Sequence, residues 1–264
     1  MLKQRIITAL ILLPIMLGML FWASDILWAA FSALIALLAL WEYARMAGID
    51  SKDRAPYLLA SAVFMLLAVA GGWALPAVGW FAVLVFWLAV MPLWLKHKWK
   101  LAGGWRAYAA GWMLMMPFWF ALVTLRPDGA NVLPLLSVMG LVWLADIGAY
   151  FSGKAFGRRK LAPAISPGKS WEGVAGGLLA VLLYLSAVRA AGWLGFEASW
   201  PATMAAGAVL TAVSVCGDLL ESLLKRAAGI KDSSNLLPGH GGVFDRTDSL
   251  IAVLSVYAAF VSLY

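Results

Sequence analysis

Nine stretches of this chain, roughly 6–23, 26–48, 57–75, 78–95, 106–125, 131–152, 173–194, 201–226 and 248–264, are each apolar over about the 20 residues that a helix needs to cross a bilayer. No water is available there to bond the backbone, so each run must satisfy its own N–H and C=O groups as a helix. The fold class that follows is all-α: a polytopic integral membrane protein of about nine transmembrane helices. Composition agrees, with 64% hydrophobic and only 12% charged residues, against about 25% charged in soluble domains. The 15 Trp fit an interfacial role at the headgroups. A net charge of +7 in such a chain points to cytoplasmic loops and anionic partners, not to nucleic acid. The single cysteine, Cys216, makes no internal disulfide and no metal cage, and reads as a small core residue.

The first run follows "MLKQR". It is long, and bulky "FW" stands where a cleavage site needs small residues, so it reads as a retained helix. With the N-terminus cytoplasmic and the runs alternating, only Arg126 and Arg189 of the 20 Lys and Arg fall outside. That bias is the positive-inside pattern. It puts the loops 153–172 and 227–245 on the cytoplasmic side and the C-terminus on the other. The basic segment "KHKWKLAGGWR" at 96–106 fits either an interfacial stretch on anionic headgroups or an ordinary loop. Gly173 and Gly177 form a GxxxG, a weak signal for close helix packing. Without repeats or linkers, residues 1–264 read as one membrane domain. Residues 1–130 supply N-terminal helices, and 131–264 carry the polar chemistry.

That chemistry is densest in a polar island between the last two runs. Asp218, Glu221, Ser222 and Lys225 lie three or four residues apart and share a helical face. Lys225 marks a helix end, which places Asp218 about 10 Å deeper at 1.5 Å per residue. A carboxylate at that depth costs at least ~2.5 kcal/mol, so it needs a polar cavity and a cation. An internal salt bridge between helices would also serve. Asp245 and Asp248 open the last run, where N-cap and N3 carboxylates are expected. Their nearness to Asp218 and Glu221 across a short loop favours a shared divalent cation, for which hard oxygen ligands suit Mg²⁺. The glycines of "PGHGG", Gly241 and Gly242 among them, permit positive φ and a close approach of backbone to an anion. His240 fits equally as a phosphate donor or as a turn cap. Lys225, Arg226, Lys231 and Arg246 around the loop fit phosphate clamps, beyond marking the inner side.

A second polar loop, "DIGAYFSGKAFGRRKLAPAISPGKSWEG", begins at Asp146, which lies near the end of the sixth run. "PGKS" suggests a phosphate-binding P-loop, but Pro163 stands where that motif needs glycine, and a membrane helix precedes it instead of a strand. What remains is a cation-rich loop with Ser166, Ser170 and Glu172. Two basic loops beside intramembrane carboxylates point to a metal-bound polyphosphate. A cation transporter is the alternative, because such carboxylates also mark ion paths.

These residues carry a family resemblance. Ser222-x-Leu224-Lys225-Arg226, Lys231-Asp232 and Pro238-x-His240-Gly241-Gly242-Val243-x-Asp245-Arg246-Thr247-Asp248 resemble the signature of phosphatidate cytidylyltransferases, also called CDP-diacylglycerol synthases. The upstream loop is similar too, at Asp146, Tyr150, Gly153-Lys154-x-Phe156-Gly157-Arg158, Lys160, Ser166-Pro167-x-Lys169-Ser170-x-Glu172-Gly173. The likeness is specific over roughly 146–248; before that it lies only in apolar helices. It implies a bacterial inner-membrane enzyme, active on the cytoplasmic face, that joins CTP and phosphatidate into CDP-diacylglycerol and pyrophosphate in phospholipid biosynthesis. It also implies Mg²⁺, with room for a second cation, contact with membrane lipids, and room for a homodimer. On this reading Asp218, Asp245 and Asp248 are the metal ligands, with Lys225 and Arg226 beside them at the reacting phosphates. Substrate binding falls to Asp146, Lys160, Ser166, Lys169, Glu172, Lys231, Asp232, His240, Gly241, Gly242 and Arg246. A CTP-dependent polyprenol kinase and an ether-lipid cytidylyltransferase remain alternatives.

Overall fold

The computed structural model describes residues 2–126, 131–194 and 198–264. Among them the chain forms nine helices, α1 (Leu2–Trp22), α2 (Asp25–Met46), α3 (Ser51–Ala70), α4 (Ala77–His97), α5 (Gly104–Thr124), α6 (Leu133–Phe156), α7 (Trp171–Ala190), α8 (Trp200–Ala227) and α9 (Phe244–Leu263). A short antiparallel hairpin, β1 (Lys160–Ala162) and β2 (Ser166–Ser170), stands between α6 and α7. Each apolar run thus becomes one helix. Eight, α2 to α9, are long and apolar enough to cross a membrane, and α1 adds the shorter apolar stretch Leu10–Trp22. The side chains of Lys3 and Arg5, counted above for sidedness, lie outside what is described.

The last helix is the hub. Residues 249–259 of α9 are all buried, the pattern of a helix enclosed on every side. Around it pack α2, α4, α5, α6 and α8. A π turn at Phe86–Val90 interrupts α4. Such a bulge rotates the helix that follows it. The first half of α4 faces α9 and the second half faces α8.

Polar edges of aromatic side chains tie the N-terminal helices together by donating to backbone carbonyls. Trp28 Nε1 bonds Leu122 O at 2.9 Å, Trp119 Nε1 bonds Ala29 O at 3.2 Å, and Tyr43 Oη bonds Ala107 O at 2.9 Å. Trp28 and Trp119, with the equally buried Trp87, are core residues rather than headgroup anchors. Tryptophans near helix ends, such as Trp22, Trp105, Trp171 and Trp200, are exposed as expected.

The small residues of α6 and α7 let those two helices nearly touch. A Cβ at Gly177 would stand 2.8 Å from the Ala145 carbonyl oxygen, and one at Gly173 would stand 3.0 Å from that of Ala149. The GxxxG is thus a packing face. Segment 96–106 is an irregular connection, apart from the last turn of α4 and the first of α5. It runs through Lys98 in the left-handed region and a Gly103 N–H bond to Ala47 O at 2.9 Å.

Candidate active site

α8 and α9 approach closely because Gly217 has no side chain. A Cβ there would come 2.7 Å from Asp248 O and 3.1 Å from Ser249 Cα. The Ser249 hydroxyl donates to Ser214 O at 3.1 Å across the same seam. This contact brings Asp218 and Glu221, one turn apart on α8, against Asp248 on α9. One carboxylate oxygen from each lies within 4.8 Å of the others. Glu221 is buried, and its Oε1 has no hydrogen-bond partner among the described residues. A buried carboxylate oxygen left so costs free energy. Three hard oxygen donors with one of them orphaned fit a divalent cation.

Asp218 and Asp248 thus come together as the sequence indicated, and the third member of the trio is Glu221. Asp245 has other partners. Its Oδ1 accepts from Lys225 Nζ at 2.7 Å, and its Oδ2 accepts from Gly242 N at 2.7 Å, Ser233 N at 2.8 Å and the Ser233 hydroxyl at 2.8 Å. The Lys225 ammonium also meets Glu221 Oε2 at 2.8 Å. It therefore links Asp245 to the trio. α9 begins at Phe244 with Val243 as its N-cap and no local side-chain cap. Asp245 and Asp248 accordingly sit beyond the N-cap and N3 positions suggested by the sequence.

The signature loop folds over this network. Gly241 has φ +83°, the left-handed region that glycine tolerates. Its neighbour Gly242 is needed for space, since a Cβ there would collide with the Ser233 hydroxyl and the Glu42 carboxylate. His240 donates its N–H to Leu237 O at 2.8 Å, and its own carbonyl accepts from Arg246 Nε at 3.0 Å. Arg226, Lys231, Asp232 and Arg246 are exposed around the loop.

The hairpin supplies the other wall. Lys169 on β2 forms an ion pair with Asp218. Beside them opens a cavity of about 410 Å³, bordered by Asp146, Lys154, Lys169 and Asp218 at its polar part and by Ala149, Val174, Gly177 and Val215 elsewhere. Glu172 stands back from it: its carboxylate accepts from the N–H groups of Arg158 at 3.1 Å and Arg159 at 3.2 Å, and so fastens the start of the hairpin. Ser170 caps α7 through Gly173 N at 3.1 Å. Lys160 is exposed on β1, and Ser166 lies on β2 away from the cavity lining.

One residue of the site has no place in the sequence reading. Glu42 of α2 is 0% exposed. It accepts from the hydroxyls of Ser233 at 3.0 Å and Ser234 at 2.6 Å, and from the N–H groups of Val243 at 3.0 Å and Phe244 at 2.6 Å. Its signal was a lone carboxylate inside an apolar run, "LLALWEYARM". Such a residue is expected to have a specific partner.

Bundle and site define a class: an all-α polytopic membrane protein with a carboxylate trio, two cationic loops and a cavity at one end of its helices. Comparison with known proteins makes this specific. The family model described as "Cytidylyltransferase family" matches residues 3–264, and the chain belongs to that family. It is 48% identical over 271 aligned residues to a phosphatidate cytidylyltransferase of Pseudomonas aeruginosa, covering 99% of this chain and 97% of that protein. Proteins of the same name from Haemophilus influenzae and Bacillus subtilis are 52% and 40% identical over shorter segments. These segments cover 48% and 47% of this chain and 44% and 45% of those proteins. Family membership makes the chain a nucleotidyltransferase.

Proposed function

We propose that the chain is a phosphatidate cytidylyltransferase, which transfers the cytidylyl group of CTP to the phosphate of phosphatidate and releases pyrophosphate. The observation that carries this reading is the carboxylate trio of Asp218, Glu221 and Asp248 beside a cavity with Lys169 at its polar part and small apolar residues along its walls. A charged phosphate and an apolar tail both find their match there. We also take this end of the bundle to face the cytoplasm, where CTP is, in a bacterial inner membrane.

An oxygen of the ionised lipid phosphate attacks the α-phosphorus of CTP, the α–β phosphoanhydride bond breaks, and its electrons leave with pyrophosphate. The nucleophile is already an anion, so no general base is required. The barrier is the meeting of two anions, and positioning with charge neutralisation lowers it. A Mg²⁺ ion held by Asp218, Glu221 and Asp248 would neutralise phosphate charge and favour departure of pyrophosphate. Asp245 and Lys225 hold the loop and Glu221 in place. Lys169, paired with Asp218 at the edge of the cavity, is the cation placed to bind a substrate phosphate, and a metal ion held by the carboxylates would free it to do so. Arg226, Lys231 and Arg246 extend the cationic rim toward the triphosphate, and Lys154, which lines the cavity beside Asp146, offers the lipid phosphate a cation.

The purified protein with phosphatidate, Mg²⁺ and CTP labelled at either the α or the γ position tests this. Label enters the chloroform phase from α-labelled CTP, with pyrophosphate released. Label there from γ-labelled CTP instead would make the protein a lipid kinase, and intact CTP with every lipid supplied would return the transporter.

A further inference from the structure

We infer that Glu42, in the N-terminal half of the chain, is a positioning residue for cytidylyl transfer: it sets where the signature loop and the first turn of α9 stand relative to the carboxylate trio. This rests on the cytidylyltransferase reading above.

Three observations carry it. First, α9 has no cap of its own. Its entry N–H groups at Val243 and Phe244 are bonded by the two oxygens of Glu42, at 3.0 and 2.6 Å, from a helix some two hundred residues earlier. A helix start presents unpaired donors and the positive end of its dipole, which suit a carboxylate. Asp248 lies one turn beyond Phe244, so the hold that fixes the helix start also fixes the height of Asp248. Second, four contacts of 3.0 Å or less run from Glu42 to the trio, through Ser233, Asp245 and Lys225 to Glu221. Two members of the trio are thus reached by separate routes. Third, Gly242 of the signature has no room for a side chain because Glu42 and Ser233 occupy its flank. At Gly242 the loop is shaped around this carboxylate, while Asp245 also holds the same loop.

Glu42 does not line the cavity beside Asp218 and Lys169. Its substitution should therefore alter turnover more than substrate affinity. Glu42→Gln keeps the size but replaces one acceptor oxygen with a donor, so at least one of the two N–H groups loses its partner. Glu42→Asp keeps the charge and retracts it by one methylene. Both variants are purified in detergent, their thermal unfolding is recorded, and kcat and KM are measured for CTP and phosphatidate. We expect kcat to fall about 10- to 100-fold, the scale of a small misplacement remote from the chemistry. Both KM values should stay within about twofold, with unfolding near that of the parent in at least one variant. Parent-like kcat in a folded variant overturns the inference, as does a rise in both KM values at unchanged kcat. Failure of both variants to fold makes Glu42 a folding residue and also overturns it. If the parent protein itself shows no CTP turnover, the fault lies in the functional reading and not in Glu42.

Discussion

Each carboxylate of the polar island is defined by its partners. Asp218, Glu221 and Asp248 face one another, with one buried oxygen of Glu221 lacking a hydrogen-bond partner among the described residues, whereas Asp245 accepts from four donors. The first set fits cation binding and the second fits loop anchorage. Asp218→Asn and Asp248→Asn each remove one charge at constant size and should cut kcat at least ~100-fold, the scale of losing one electrostatic stabiliser. Binding of Mn²⁺ to the substrate-free protein, followed by electron paramagnetic resonance, should weaken in parallel. Unaltered Mn²⁺ binding in both variants would remove the trio as the cation site.

Among the helices, closeness of approach decides function. α8 and α9 meet at Gly217, and α6 and α7 meet at Gly148, Gly173 and Gly177. The second pair forms a wall of the cavity and carries the hairpin with Lys169 between its two members. Gly177→Val would press its side chain against the Ala145 carbonyl and prise α6 from α7. Overpacking of this kind costs about 1–3 kcal/mol. The expected result is a lowered unfolding midpoint together with a raised KM for phosphatidate, because the cavity wall itself moves. A midpoint and KM equal to those of the parent would mean the helices have slack there. At the far ends of the helices, the two arginines expected outside are both tied to backbone. Arg126, 2% exposed, donates to Leu20 O at 2.7 Å and Ala23 O at 2.5 Å, and Arg189 donates to Ala198 O and to Thr203 Oγ1 at 3.0 Å. They serve as helix-end clasps, which explains why cations occur there against the general bias.

For the whole molecule, the helices alternate in direction, and every polar group of the site gathers at one end. The ends of α2, α6 and α8 meet the starts of α7 and α9 there. α1 reaches it too, since the Thr8 hydroxyl donates to Pro238 O at 2.9 Å. With the N-terminus in the cytoplasm, the nine helices would carry a reporter fused after Tyr264 to the opposite side. A phosphatase reporter at that position should be active and a fluorescent protein dark. The reverse result would place an even number of crossings before it, with α1 the first suspect because its apolar stretch is the shortest.

Hydrophobic pattern alone determined that this chain is a bundle of membrane helices, because a run of about 20 apolar residues has no other stable state in lipid. It also revealed the polar island, the two cationic loops and most of the carboxylates, since charges in apolar surroundings are conspicuous. Which of the two helix-start carboxylates joins Asp218 and Glu221 was not legible. Asp245 and Asp248 are both acidic residues at a helix start, and only the contact at Gly217 sends one to the trio while the Ser233 and Lys225 contacts hold the other at the loop. Nor could the sequence pair Glu42 with Val243 and Phe244. A cap is recognised in sequence by its position beside the helix it closes. This one is delivered from α2, so it exists only after α2 and α9 have packed together.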